Sequence, residues 1–332
     1  MTTLHHRTRY IAGLCALAAS LALAACGGED RPGAEAEPRT VVLSLDFVPN
    51  AVHAPIYQAV EGGHDRANGI ALDIRKPAGG PDALKLVASG EVDVGVLDIH
   101  DLAIAREQGT DLVAIGALVD EPLAALIARS GIDRPRDLEG RTVGVSGLPS
   151  DPAFLRAILD HDGAEYAKVR QVTIGFSAVS RLLSGRVDAV PAFWNAEGVA
   201  LRERGFDVEE FRVEEYGAPA YPEVVMITAR KTLQAERDLL KRTLAALEAG
   251  RRATVDDPDA AVETIAQAAE TRDTSLVRAQ LDAVSPIFAE GLRFDRRMLE
   301  QWADFDAEVG IVESRPDVDR AFDLTMSPAA AG

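Results

Sequence analysis

The chain has 332 residues and a formal net charge of −18, with 35 basic side chains against 53 acidic ones. That length supports two ordinary domains with real cores, and the acidity excludes nucleic acid as a partner, which needs a basic stripe over the phosphates. The two cysteines, Cys15 and Cys26, both fall near the N-terminus, so the rest of the chain offers no disulfide, cysteine nucleophile or thiolate metal site.

Residues 1–25 read as a secretory signal peptide. His5, His6, Arg7 and Arg9 precede an apolar run from Ile11 to Ala25, the layout of a charged n-region and a short h-region. The run is mostly alanine and too short to cross a membrane comfortably. It ends Leu23-Ala24-Ala25-Cys26-Gly27, which resembles a bacterial lipoprotein box; cleavage before Cys26 leaves its thiol for a diacylglyceryl anchor. Residues 26–40, with Gly27, Gly28, Pro32, Gly33 and Pro38 among acids, read as a flexible tether. The expectation is an extracytoplasmic domain anchored to the cell membrane as a lipoprotein.

From Thr40 onward, short β-branched runs alternate with helical patterns. Strands are expected at Val41–Leu45, Ile70–Ile74, Val92–Val96 and Leu112–Gly116, with helices over His53–Asn68, Pro81–Ser89 and Leu102–Gln108. The pattern restarts after Gly131. Strands are expected at Thr142–Val145, Val169–Ile174, Val187–Val190 and Val208–Val213, separated by helices at Ser150–Asp160, Ala178–Ser184 and 194–204. A strand returns at Val224–Thr228, and the remainder to Phe322 reads as helical, broken at Asp256–Asp259 and Gly291. Such alternation gives an α/β fold with mostly parallel sheets flanked by helices.

One short phrase occurs twice. Ser89-Gly90-Glu91-Val92-Asp93 and Ser184-Gly185-Arg186-Val187-Asp188 each end a helix and enter a strand. The glycine takes the left-handed conformation that only Gly adopts cheaply, and the two phrases mark matched positions in two α/β halves. Ligands of such halves bind beyond the C-terminal ends of strands, so residues 97–100 and 192–197 are expected to face each other across a cleft.

Leu45-Asp-Phe-Val-Pro-Asn-Ala-Val-His-Ala-Pro-Ile-Tyr57 resembles the opening of ABC-transporter substrate-binding proteins of the thiamine-precursor and sulfonate group (SsuA/THI5-like, NMT1). It is most similar to the formylaminopyrimidine-binding branch, whose pattern is Leu-Asp-Trp-x-Pro-Asn-x-x-His-x-x-x-Tyr. Gly147-Leu-Pro-Ser-Asp-Pro152, Trp194-Asn-Ala-Glu-Gly198 and Glu215-Tyr-Gly-Ala-Pro219 follow in the same order. The resemblance spans residues 41–230 and fades in the helical tail. It implies a two-lobed, type II periplasmic-binding-protein-like fold that closes on a small ligand, with residues 41–130 beginning lobe 1, 131–219 forming lobe 2, 220–325 returning to lobe 1, and a tail over 326–332. It further implies a monomer that delivers its cargo to a membrane ABC permease. The sequence departs from the pattern at Phe47, where the family has Trp, at Phe193, where it has Tyr, and at Leu97-Asp98-Ile99-His100, where it often has Ser-Tyr-Gln-Pro.

A thiamine-related pyrimidine needs aromatic faces for its ring and a carboxylate with amides for its edge. The resemblance therefore makes Phe193 or Trp194 the stacking group, and Asn195 and Glu197 the partners of amino and ring nitrogens; the last two equally suit the start of a helix. Asn50 either presents its amide to the ligand or opens the helix as a turn residue. His53 either makes a buried structural hydrogen bond or touches ligand. Asp46 ends a strand, where a buried carboxylate needs partners, and Phe47 stands beside it. Ser146 and Ser150 lead into a helix whose free amides suit a ligand oxygen or whose N-cap Ser150 supplies. Asp98 and His100 either read a different ligand edge or face solvent, and Tyr216 either lines the cleft or packs the hinge.

No catalytic set, metal-ligand spacing or nucleotide loop emerges, and no cofactor is implied. A yeast pyrimidine synthase shares the family's fold, but its chemistry uses a cysteine cluster absent from this chain. The sequence thus points to a binding protein for a formylaminopyrimidine-like ligand, with a flavin or a small organic anion such as a sulfonate as alternative cargo and a pyrimidine-synthesis enzyme as the rival class.

Overall fold

The computed structural model describes residues 37–77 and 82–327; the signal peptide, Cys26 and the tether up to residue 36 lie outside the described residues. The first half runs β1 (Arg39–Ser44), α1 (Ala54–Glu61), α2 (His64–Ala67), β2 (Ile70–Arg75), α3 (Asp82–Ser89), β3 (Val94–Asp98), α4 (Ile99–Glu107) and β4 (Leu112–Ala117). After a crossing at 118–123 come β5 (Ala124–Arg129), β6 (Thr142–Val145), α5 (Asp151–His161), β7 (Arg170–Thr173), α6 (Ala178–Leu183), β8 (Ala189–Phe193), a π-helical turn (Trp194–Gly198), α7 (Val199–Glu203) and β9 (Val208–Arg212). A second crossing at 213–223 leads to β10 (Val224–Ala229) and the helices α8 (Arg230–Ala235), α9 (Arg237–Asp256), α10 (Pro258–Ala268), α11 (Thr274–Val284), α12 (Arg296–Glu308) and α13 (Val318–Ala321). No helix among the described residues is long and apolar enough to cross a membrane.

Two five-stranded sheets form, ordered β2-β1-β3-β10-β4 and β7-β6-β8-β5-β9. In each, the first three strands are parallel and the fourth is antiparallel to both its neighbours. The fourth strand is the one that follows a crossing, so the two lobes share one plan. One hydrophobic cluster lies between the first sheet and α1, α9, α10 and α11. Another runs from Leu97 and Leu102 in the first lobe through Leu126, Val143 and Phe154 in the second. The α1–α9 packing depends on Gly250, where an added Cβ would stand 2.1 Å from the Pro55 carbonyl oxygen.

Three expectations change. The helix over His53–Asn68 is divided into α1 and α2, because Gly63 turns left-handed at φ 67°. The strand expected from Val92 starts at Val94, since the Val92 N–H still closes the preceding helix on Leu86 O. The first crossing comes before residue 124, because β5 joins the second sheet. Its Ala-Ala-Leu-Ile-Ala-Arg has no polar alternation, as befits a strand whose first five residues are buried.

The repeated phrase does the same work in both lobes. Gly90 and Gly185 adopt φ 86° and 67°, and the aspartate after each turn clamps the neighbouring strand. Asp93 accepts the Val42 N–H at 2.9 Å and donates its own N–H to Val42 O at 3.0 Å. Asp188 accepts the Thr142 N–H at 2.8 Å and donates to Thr142 O at 2.7 Å. Asp93→Ala and Asp188→Ala should each lower the unfolding free energy by about 1–3 kcal/mol, the cost of stranding a strand N–H once held by a charged acceptor. Urea denaturation checks this; a loss in only one variant breaks the equivalence of the two phrases.

Candidate functional site

The C-terminal ends of β1, β3, β6 and β8 meet between the lobes around a cavity of about 120 Å³. That is room for several waters or one small ring. Leu97, Asp98 and His100 line one wall and Ala192, Phe193, Ala196 and Glu197 another, so the two stretches expected to face each other do. Four phenylalanines, Phe47, Phe154, Phe176 and Phe193, supply the apolar faces. Phe47 from the first lobe meets Phe176 from the second edge-on, with ring centroids 4.3 Å apart. The polar lining holds Asp46, Asp98, Asp101, Asp151, Glu197 and Glu223, and among the described residues no Lys or Arg.

Asp46 is aimed by a short relay. Asn50 accepts the Val52 N–H at 2.9 Å and opens a 3-10 turn, while its own N–H donates to His53 Nδ1 at 3.3 Å. His53 Nδ1 is therefore an acceptor, so Nε2 carries the hydrogen and donates it to Asp46 Oδ1 at 2.8 Å. Asn50 thus serves as a turn residue and lines the cavity, whereas buried His53 is structural and lies outside the lining.

The floor is a nest of buried and half-buried acids around one imidazole. Asp98 caps α4 by accepting the His100 N–H at 2.7 Å, and His100 Nδ1 bonds Asp306 Oδ1 at 2.7 Å. Glu223, fully buried, accepts the N–H groups of Leu123 and Ala124 at 2.7 and 3.0 Å. Burial alone would depress His100, but Asp306, Asp98 and Glu223 outweigh it and lift the imidazole to about 10. Burial, with Glu223 beside it, pushes Asp98 well above the usual carboxyl range. Burial and the nearby Asp98 raise Asp101 to about 8. With no Arg or Lys in the lining, the upward shifts of His100, Asp98 and Asp101 all favour holding protons there.

The amides leading into α5, expected to be free, are occupied. Asp151 accepts the Gly147 and Leu148 N–H groups at 2.6 and 3.0 Å and the Ser146 hydroxyl at 2.9 Å. The Ser150 N–H donates across the cleft to Asp101 Oδ1 at 3.1 Å, and the Ser150 side chain makes no cap. Ser146 and Ser150 line the cavity, but their backbone is not open for a ligand oxygen. Glu197 accepts the Phe193 N–H at 3.1 Å, and burial moves its carboxyl upward against that bond.

Trp194, Asn195 and Tyr216 do not line the cavity. The Trp194 indole N–H donates to Pro122 O at 3.1 Å, and the Arg212 guanidinium covers its ring at 4.2 Å. The π-helical turn points the ring at the crossing and leaves Phe193 on the cavity side. Asn195 is fully buried with neither amide atom partnered, an unusual cost in a native interior. Tyr216 packs edge-on against His161 and Phe211 within the second lobe. Glu223, Asp101, Asp151, Phe154 and Phe176 are the site residues the sequence reading missed. Only Asp101 carried a usable signal, an acid in the first turn of the helix that Asp98 opens.

A family model described as NMT1/THI5 like matches residues 50–261. The chain belongs to the NMT1/THI5-like family. Its relatives include a formylaminopyrimidine-binding protein from Halalkalibacterium halodurans, 32% identical over 252 residues that cover 75% of this chain and 76% of that protein. They also include a 4-amino-5-hydroxymethyl-2-methylpyrimidine phosphate synthase from Legionella pneumophila, 26% identical over 297 residues covering 87% and 92%. The alkanesulfonate-binding protein SsuA from Xanthomonas axonopodis pv. citri, bound to MOPS, has a TM-score of 0.70 at 17% identity, over 87% of this chain and 99% of that one. The aliphatic sulphonate binding protein SsuA from Escherichia coli gives 0.68 at 16%, over 89% and 94%. These structural matches establish the two-lobed α/β fold.

The Asp101–Ser150 bond and the Phe47–Phe176 contact hold the family member's lobes together. Asp101→Ala should weaken that closure by about 1–3 kcal/mol, seen in small-angle scattering of the ligand-free protein as a larger radius of gyration. An unchanged radius would show that the bond does not hold the lobes.

Proposed function

We propose that the protein is a lipid-anchored, extracytoplasmic solute-binding component of an ABC importer that captures a thiamine-related aminopyrimidine, and that it is not an enzyme. The cavity's lining carries this reading: four phenylalanine faces, six carboxyl side chains around one imidazole, and no Lys or Arg among the described residues. A flat ring bearing amino groups satisfies such a lining, because its N–H donors meet carboxylate acceptors while its faces rest on phenyl rings. A sulfonate does not, since an anion buried beside six carboxyl groups, with no Lys or Arg and with the one imidazole already tied to Asp306, costs several kcal/mol. The similarity to the Halalkalibacterium halodurans binding protein supports the same ligand class.

Within this reading Phe193 and Phe47 flank the ring, and Glu197 and Asp46 accept from its amino edge. Asp46 is pre-oriented by His53, so little ordering is left for the moment of binding. Cys26 is the lipidated residue, and the ligand passes to a membrane permease. The synthase relatives keep an enzyme as the rival; both cysteines of this chain precede residue 37, and the described cavity lining contains none.

Titration calorimetry of the full-length protein in detergent should give one equivalent of formylaminopyrimidine or hydroxymethylpyrimidine bound, and no heat with taurine. Glu197→Gln should weaken the pyrimidine by about 1–3 kcal/mol, roughly tenfold or more. Binding of taurine or riboflavin alone overturns the ligand, and a phosphorylated pyrimidine formed with pyridoxal phosphate and iron overturns the binding-protein reading.

A further inference from the structure

Asp98, His100 and Glu223 converge at the cavity floor, where one coordinating atom of each lies within 4.8 Å of the other two. Each side chain has its remaining polar atom committed elsewhere. Asp98 Oδ1 caps α4, Glu223 Oε2 holds the Leu123 and Ala124 N–H groups, and His100 Nδ1 is tied to Asp306. What is left over is buried and unpartnered: His100 Nε2 and Glu223 Oε1 have no hydrogen-bond partner, in residues only 2% and 0% exposed. Native interiors rarely leave such groups alone.

We propose that Asp98, His100 and Glu223 bind one divalent first-row transition-metal ion, with Asp306 orienting His100 from behind. The Nδ1–carboxylate bond, beside the Trp302 indole N–H at 3.3 Å from the same nitrogen, is the outer partner that metal-bound histidines usually have; it holds the ring so that an ion can take Nε2 in place of a proton. One imidazole nitrogen and two carboxylate oxygens suit Zn²⁺, Mn²⁺ or Co²⁺ better than the all-oxygen shell of Ca²⁺ or the thiolates that select Cu(I). Three protein ligands leave a coordination position open, and since all three residues line the cavity, that position faces it. A divalent ion also brings positive charge to a described lining that holds six carboxyl groups and no Lys or Arg.

Glu223 belongs to the second crossing and holds the first, whereas Asp98 and His100 belong to β3 and α4 of the first lobe. The ion therefore fastens the crossings to the cavity floor whatever organic ligand sits above it.

The test uses the full-length protein in detergent, stripped with a chelator and free of pyrimidine. Zn²⁺ and Mn²⁺ are titrated by calorimetry and Co²⁺ by its visible absorption. One equivalent should bind, with a Co²⁺ spectrum of low-symmetry, nitrogen-containing coordination. Asp306→Asn should weaken binding on the order of 10–100-fold, and His100→Gln and Glu223→Gln by at least as much. Glu223→Gln keeps an acceptor for the Leu123 and Ala124 amides, so circular dichroism should report an intact fold. Failure of the wild-type protein to bind any of the three ions overturns the site, as does equal affinity in a folded Glu223→Gln variant. Because no pyrimidine is present, that failure leaves the ligand reading standing, and a failed pyrimidine titration leaves this one standing.

Discussion

Glu223 is the interaction on which the arrangement rests. Its carboxyl group sits on the second crossing and holds two consecutive N–H groups where the first ends and β5 begins, at Leu123 and Ala124. Both crossings pass between the same two sheets, so fixing one against the other sets the angle at which the lobes meet. Leu118 N–H to Val224 O at 2.8 Å and Ile99 N–H to Glu223 O at 3.0 Å reinforce the same junction, and the Trp194 indole adds a third brace at Pro122. A carboxyl group taken out of water to do this needs its bonds, and its second oxygen, Oε1, is left buried without a partner at the floor of the cleft.

Much of the fold was legible because it rests on local rules. Periodicity placed nine of the ten strands among the described residues, and the repeated Ser-Gly…Val-Asp phrase marked the equivalent turn in each half, down to the same aspartate clamp. The tenth, β5, escaped because a strand buried on both faces shows no alternation and its alanines suit a helix equally well. The site was legible where motif and strand end coincide: Asp46, Phe47, Asn50, Asp98, His100, Phe193 and Glu197 all reach the cavity. It was not legible where the answer depends on which way a turn rolls. Phe193 and Trp194 are adjacent, and only the π-helical turn decides that the phenyl faces the cavity while the indole faces the crossing. Glu223 and Phe176 gave no local hint, because their role arises from contacts distant along the chain.

The acid-rich floor and the closed lobes are linked. Asp101 accepts the Ser150 N–H from the opposite lobe, and that bond lies beside the group of carboxyls that burial drives toward protonation. Opening the cleft would admit water and relieve the desolvation, so the same side chains are easier to ionise in the open form. Capture of a ligand and retention of protons, or of a cation in their place, are therefore favoured by the same geometry.

The order in which strands enter the two sheets also sets the order in which they can be completed. The second lobe's strands, β5 to β9, occupy one uninterrupted stretch, residues 124–212, whereas the first lobe's sheet waits for β10 to be inserted between β3 and β4. A polypeptide emerging from its N-terminus therefore carries two unzipped edges until Ala229 has appeared, and unpaired edges invite mispairing with other chains. The part of the molecule synthesised first is the part that must be finished last.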